Sequence, residues 1–426
     1  MPDAQTTALT YRYDRLRAIP QGVIESASTT FLLLIAVKAF DAGPTPKSLI
    51  AAAGNIGLLL SLWLVPLVER SRRPVMRVAA WLMLGGAVAM LVAAGIPALP
   101  VLVPATVVAI GATNAIIPLL TSVYQDNYAP RERGRLVSRT FVIRVVAAAA
   151  FAELAGRLLT ADIALFRWLL VAFALAFALA AYCLAHIPSR ALQESRPPLP
   201  ASKTDDAGAQ HRPGIVLGAF GSLKFLRTDR TLRWTLASWM LMGFANLMMW
   251  PLRVEFLANP KYGLALNPQQ IALYTVMIPS VARLVLSPMW GRLFDRMNFF
   301  VLRIILNAGF ALGIASFFTG AGAIGLTVGA IIFGASNAGG EIAWSLWVTK
   351  FAPAERAAEY MSVHTFFTGI RGIFAPILAF QLTQTLDISA IALVCAGFIM
   401  LASLILVPEI GGQKGAAHTA GRNTGA

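Results

Sequence analysis

Seven ionisable side chains stand inside long apolar runs of this chain: Glu25, Arg144, Glu153, Arg283, Glu341, His364 and Arg371. Charge placed in hydrocarbon is costly, and such residues face a wet cavity or one another. A carboxylate in a poorly hydrated wall can hold a proton near neutral pH and give it up when the wall is wetted. Glu25 and Glu341 are the first candidates for that role, with Glu153 third. Arg283 and Arg371 cannot lose their charge, so they suit an anionic group of a ligand or a carboxylate partner. Polar neighbours recur around these residues at helical spacing. Gln21, Glu25, Ser28 and Thr29 share one face, as do Ser280, Arg283 and Ser287; Asn337, Glu341 and Ser345; and His364, Thr368 and Arg371. Four polar stripes on apolar helices read as walls of a water-accessible cavity. Each stripe is equally compatible with a helix–helix hydrogen bond, and three Arg against three Glu also permit plain ion pairing. Trp250, Trp344 and Trp347 could line a site for an organic ligand or pack at a membrane interface.

The elements that must position these residues follow from composition. The chain is 57% hydrophobic and 13% charged, with a mean hydropathy of +0.68, far from the balance of a soluble domain. Apolar runs of about twenty residues, the length that crosses ~30 Å of hydrocarbon as helix, follow one another along it. Twelve spans are expected, near 19–37, 48–68, 75–95, 99–123, 137–158, 163–186, 231–252, 270–291, 299–319, 323–349, 360–383 and 387–407. They lack strict alternation, and lipid demands a backbone satisfied within the segment, so they are helices. The fold class is an all-α membrane protein with two six-helix bundles, 1–186 and 231–407. Between them, 187–230 contains "PSRALQESRPPLPASKTDDAGAQHRPG", too polar to pack and read as a flexible linker. The stretch after it, "LKFLRTDRTLRW" (223–234), suits the membrane surface. Residues 408–426 are expected to be a disordered tail, and no cleavable signal is read ahead of the first span.

The net charge of +15 would suit nucleic acid, but its placement argues against that. Of the 35 Lys and Arg residues, 26 fall in the two tails, the linker and the loops on that side, six lie in the opposite loops, and three sit inside spans. Basic short loops mark the cytoplasmic face, so both termini are expected there, in a multi-pass protein of a plasma or bacterial inner membrane. Cys183 and Cys395 lie within spans and show no metal or redox spacing. There is no phosphate-binding glycine loop, metal cluster or catalytic triad, and the polar segments are too short for an ATPase domain. Neither an enzyme nor a cofactor is expected.

The halves repeat each other. Shifted by 226 positions, "LLLSLWLVPLVERSRRPVMR" (58–77) lies over "LVLSPMWGRLFDRMNFFVLR" (284–303), setting Glu69-Arg70 on Asp295-Arg296. Shifted by 223, "GATNA" (111–115) lies over "GASNA" (334–338), and "APRER" (129–133) over "APAER" (352–356). Span 2 thus matches span 8 and span 4 matches span 10, a parallel duplication of six spans that makes the bundles pseudo-symmetric. With that repeat and the stretch Gly291, Asp295, Arg296, the chain resembles the major facilitator superfamily. The family's loop signature runs Gly, three residues, Asp-Arg, any residue, Gly, two basics. The second copy departs from it at Asn298, Phe299 and Phe300. The first copy has Val65 for the Gly and Glu69 for the Asp, followed by Arg70, Arg72 and Arg73.

The resemblance implies that Gly291, Asp295 and Arg296, with Glu69 and Arg70, belong to a gate between the halves on the cytoplasmic side. It also implies that spans 3, 6, 9 and 12 lie outside against lipid, and none of the seven interior residues falls in those spans. The Gly-Pro-x-x-Gly-Gly element of span 5 and the span 4 Arg, common in the family's drug antiporters, are missing from "VVAAAAFAELAGRL" and "VVAIGATNAIIPLL". The expectation is a monomeric secondary transporter working by alternating access. It would move a small organic solute, with the interior Arg residues favouring an anionic one, and be driven by the proton gradient. Hydrophobic drug or lipid efflux is the second reading, and a non-transporting membrane receptor or assembly factor the third.

Overall fold

In a computed structural model, residues 3–191, 227, 229–347 and 357–410 are described. Most of the expected linker, most of the expected tail and the "APAER" segment lie outside them. Among the described residues, helices follow one another in twelve rods. They are α1 (Ala4–Lys38), α2 (Pro44–Ser71), α3 (Val75–Gly95), α4 (Leu99–Asn127), α5 (Pro130–Ala161) and α6 (Phe166–Ala185). The second set is α7 (Arg230–Ala258), α8 (Pro268–Arg296), α9 (Phe299–Thr319), α10 (Gly322–Leu346), α11 (Ala357–Leu382) and α12 (Ile388–Leu406). Nine are long and apolar enough to cross a membrane, or ten if α2, bent by 48° between Ser61 and Trp63, counts as one span. The other two, α5 and α7, are 32 and 29 residues long and carry more charge.

Several ends differ from the sequence expectation. α1 begins at Ala4, well before residue 19, because Asp14, Arg17 and Tyr124 satisfy one another inside the bundle. The Tyr124 hydroxyl donates to Asp14 at 2.6 Å and an Arg17 nitrogen does so at 2.8 Å. The first residues of the expected linker are pinned to the first bundle. Pro188 offers its carbonyl to Asn127 (2.7 Å), and Arg190 offers its carbonyl to the Val75 amide (3.2 Å). At the other end Glu409 is buried against Thr231 and Arg230.

The repeat has a packing cause. Gly111 of α4 faces Ala53 of α2, and a Cβ built on Gly111 would lie 3.6 Å from the Ala53 carbonyl. Gly334 of α10 faces Pro279 of α8 so closely that a Cβ would strike its backbone. Under the two sequence shifts, Gly111 maps to Gly334 and Ala53 to Pro279. A small residue at one crossing in each half lets the backbones approach where lipid supplies no hydrophobic drive between helices. α3, α6, α9 and α12 carry exposed apolar residues such as Trp81, Leu91, Leu175, Leu312 and Leu404, which suits a lipid-facing side.

The chain ends and Asp295 define one side of the molecule, here the terminal side; the opposite ends of the helices form the far side. Among the described residues, polar contacts joining the halves run from mid-depth to the far side. The Lys47 ammonium of α2 meets Glu255 of α7 at 2.7 Å with both side chains buried. The Gln269 amide of α8 donates to the Thr160 hydroxyl of α5 at 3.0 Å, and its side chain donates to Glu153 at 2.9 Å. α2 and α11 close against each other where Gly369 meets Leu59 and Gly372 meets Asn55.

Candidate functional site

Two helices change winding where the halves meet. Residues 27–31 of α1 and 273–277 of α8 form single π turns, a widening that often accompanies functional sites. The turns face each other, and the hydroxyls of Thr30 and Thr275 are hydrogen-bonded at 2.9 Å. Glu25 lies just before the first turn and Arg283 just after the second.

From these positions a chain of charges crosses the molecule. Glu25 of α1 receives Arg144 of α5 on one oxygen at 2.9 Å and Arg283 of α8 on the other at 3.0 Å. Arg283 also reaches Glu341 of α10 at 3.2 Å. The order is Arg144–Glu25–Arg283–Glu341, with two cations, two anions and one ion pair between the halves. Each guanidinium carbon lies 4.9 Å from the centre of the Phe141 ring, which separates the two like charges and offers each its negative face. The Arg283 side chain is 9% exposed, while Glu25 and Glu341 are 24% and 39% exposed, so water reaches the acids more readily than the cation between them.

Three recesses adjoin this chain. One of about 380 Å³ includes Glu25, Arg283, Thr275 and Asn337. A second, of about 850 Å³, runs past Arg144 and Phe141 to Arg17 and Tyr124. A third, of about 790 Å³, lies between the halves beside Thr29, Asn55, Asn114 and Trp250. Asn114 and Asn337, paired by the sequence repeat, both line recesses.

The structure brings together four of the seven expected residues. Glu153 stands apart, holding Arg157 one turn away and Gln269 across the far-side joint. His364 and Arg371 stand apart as well. Their stripe with Thr368 turns toward α7, where Arg371 donates to the Trp239 carbonyl and His364 packs edge-on against the Trp239 ring. Arg371 therefore forms no ion pair with Glu341, which is held by Arg283. Asp295 and Arg296 are exposed and make no ion pair among the described residues, and a Cβ on Gly291 would meet open space. No described residue thus approaches Gly291 closely in this form. Arg70 is exposed and Glu69 half-buried. Sequence reasoning missed Phe141, which looks like any apolar residue, and the paired π turns, which have no sequence signature. It also missed Arg303, whose place one turn into α9 groups it with the loop charges.

Two pseudo-symmetric helical bundles around a polar seam are the architecture of a membrane transporter. The sequence profile of the Major Facilitator Superfamily matches residues 21–376, and the chain belongs to that family. No curated protein matches it by sequence. Among solved structures, a mutant of the nucleoside transporter NupG is similar with a TM-score of 0.73 at 14% identity, covering 94% of this chain and 99% of its own. The xylose transporter XylE from E. coli, in a partially occluded inward-open form, has a TM-score of 0.65 at 16% identity, covering 95% and 97%. The human organic anion transporter MFSD10 has a TM-score of 0.64 at 13% identity, covering 94% and 99%. At these identities the likeness is one of fold.

Proposed function

We propose that the chain carries a small organic solute across a membrane by alternating access, coupled to protons through Glu25 and Glu341. The observation that carries this reading is the ion pair Glu25–Arg283, because it is a charge contact between the halves at mid-depth. A proton on Glu25 removes the attraction that holds Arg283 to the first half. Arg283 then keeps Glu341, its partner within the second half, and the mid-depth ion pair no longer ties the halves together. The four-residue chain is neutral when both acids are ionised, so each proton taken up leaves one uncompensated positive charge. An anionic group on the solute would neutralise it, which ties proton and solute to the same step. The similar folds named for nucleoside, xylose and organic-anion transport support the class of small organic solutes and no single member of it.

Polar contacts between the halves on the far side, with an exposed Asp295 loop on the other, fit a form open toward the terminal side. The 26-to-6 division of basic residues supports a cytoplasmic terminal side, and on that reading the form is inward-facing. A thermal-shift screen of purified protein against metabolites identifies the solute, since a ligand bound to the native state raises the melting temperature by mass action. In proteoliposomes, Glu25→Gln and Glu341→Gln should each lose pH-driven accumulation while retaining exchange of solute across the membrane. Intact proton-driven uptake in both variants would overturn the assignment.

A further inference from the structure

A second cluster of charge lies within the C-terminal half, apart from the chain described above. Arg303 of α9 is 1% exposed and stacks on Trp239 of α7, its guanidinium carbon 3.5 Å from the ring centre. None of its three guanidinium nitrogens has a hydrogen-bond acceptor. One turn along α9, Asn307 is fully buried with neither end of its amide satisfied. Also against Trp239, His364 is fully buried with both ring nitrogens unpartnered among the described residues, its ring centre 5.0 Å from that of Trp239. Among the described residues the Trp239 indole N–H has no acceptor, nor has Nε of Arg371, one of whose two terminal nitrogens donates to the Trp239 carbonyl. The two guanidinium groups repel each other, and His364 feels both.

Apart from the Asn307 amide oxygen and one ring nitrogen of a neutral His364, the unsatisfied groups of this set are donors. The set is rich in N–H donors and carries two permanent positive charges, and no carboxylate among the described residues forms an ion pair with Arg303 or Arg371. Buried donors are normally satisfied, and buried cations are normally paired. The Trp239 ring face lessens the burden on Arg303 but accepts no hydrogen bond from its N–H groups. Arg371 is partly exposed, which gives an ion a point of entry.

We propose that Arg303, Arg371, Trp239 and His364 bind a small inorganic monoanion of the halide type. Such an ion is compact enough to lie among closely packed side chains, and it takes several N–H donors at once without directional demands. The site is separate from the Arg144–Glu25–Arg283–Glu341 chain, so it stands or falls independently of the transport reading.

The experiment uses the purified full-length protein in detergent, with chloride or bromide exchanged for gluconate at constant ionic strength. Halide should raise the melting temperature saturably by several degrees, and gluconate, too large to enter, should not. Arg303→Met should abolish the saturable response and melt in gluconate no lower than the unaltered protein, because it removes the charge that needs an anion. Glu341→Gln, which alters only the central chain, should keep the full response. Titration with iodide reads the site without reference to stability: a saturable component of tryptophan fluorescence quenching should be present and should vanish in Trp239→Phe. A halide response no greater than that of gluconate, an undiminished response in Arg303→Met, or quenching without a saturable component in the unaltered protein would each overturn the proposal.

Discussion

The two clusters of buried charge follow opposite rules. In the central chain every cation has an acid within 3.2 Å, and the charges cancel across four helices and both halves. In the C-terminal cluster Arg303 and Arg371 share one half with no acid in ion-pair contact among the described residues, and both, like His364, contact Trp239. A balanced network that spans a moving joint can be switched by one proton, because protonation changes what holds the joint together. An unbalanced cluster inside a single half has no joint to release. Its charge either finds an outside counter-ion or weighs on the stability of that half.

The sharpest way to break this comparison is to delete one Arg from each cluster. Arg283→Met breaks two ion pairs at once, and stability should fall by ~3–4 kcal/mol, less than for a fully stranded buried charge because Glu25 keeps Arg144 and Glu341 is partly exposed. In halide-free buffer Arg303→Met should be neutral or stabilising, since replacing buried charge by an apolar side chain of similar volume often is. Unfolding in detergent, followed by the loss of helical circular dichroism, measures both. Equal destabilisation by the two substitutions would show that the clusters do not differ in the way the geometry indicates.

A slightly smaller effect is expected at the far-side joint. Lys47 and Glu255 are buried and 2.7 Å apart, but Glu255 also receives the Asn259 amide at 2.8 Å, so it is not stranded outright when the ammonium is removed. Lys47→Met should therefore cost ~3 kcal/mol, the low end for a broken buried pair, and adding Glu255→Leu should recover part of it. The double variant should also favour opening on the far side, because an attraction that exists only in the closed form is gone. Labelling of single cysteines placed at the two mouths reads that shift; unchanged labelling would show that the pair is structural and does not gate.

How much of this was legible in the sequence depends on which kind of signal a residue leaves. The twelve rods were, because apolar runs of spanning length leave few alternatives. The Gly111 and Gly334 crossings were visible as a repeat, although only the structure shows that a Cβ would strike backbone at Gly334 and would make an ordinary contact at Gly111. Glu25, Arg144, Arg283 and Glu341 were visible as charges in apolar helices. Which of them would meet was not, because a stripe at i, i+3, i+4 spacing fixes a face and leaves open what that face turns toward. The stripe His364, Thr368, Arg371 met the same test as the stripe around Arg283, yet it turns away from the seam to α7. Arg303 was hidden by its place near the start of a span, where basic residues usually reach water.

The glycines give a third, smaller contrast. At Gly334 a methyl group would strike the Pro279 backbone, and backbone cannot rotate away as a side chain can. Gly334→Ala should cost ~1–3 kcal/mol, the range for overpacking. At Gly291 a methyl group meets nothing, so Gly291→Ala should leave the melting temperature of this form unchanged. Thermal unfolding of the two variants side by side tests whether the signature glycine is needed in the form described.

The smallest effect on stability, and the most specific effect on motion, is expected at Asp295. It is exposed, without an ion pair among the described residues, so its carboxylate does little for the form joined on the far side. The family resemblance places the same loop in a lock that closes when the terminal side closes. There a carboxylate can sit at a facing helix N-terminus, where the dipole favours negative charge. On that reading, removing the charge should weaken the opposite form and leave this one alone. Asp295→Asn should keep the melting temperature of the unaltered protein while biasing the population toward the form open on the terminal side. It should slow net uptake in proteoliposomes, because the return step passes through the form that has lost its contact. Cysteine labelling at the two mouths, measured alongside the uptake rate, reports both consequences. If labelling and uptake both match the unaltered protein, Asp295 is an ordinary charge at the edge of an apolar helix.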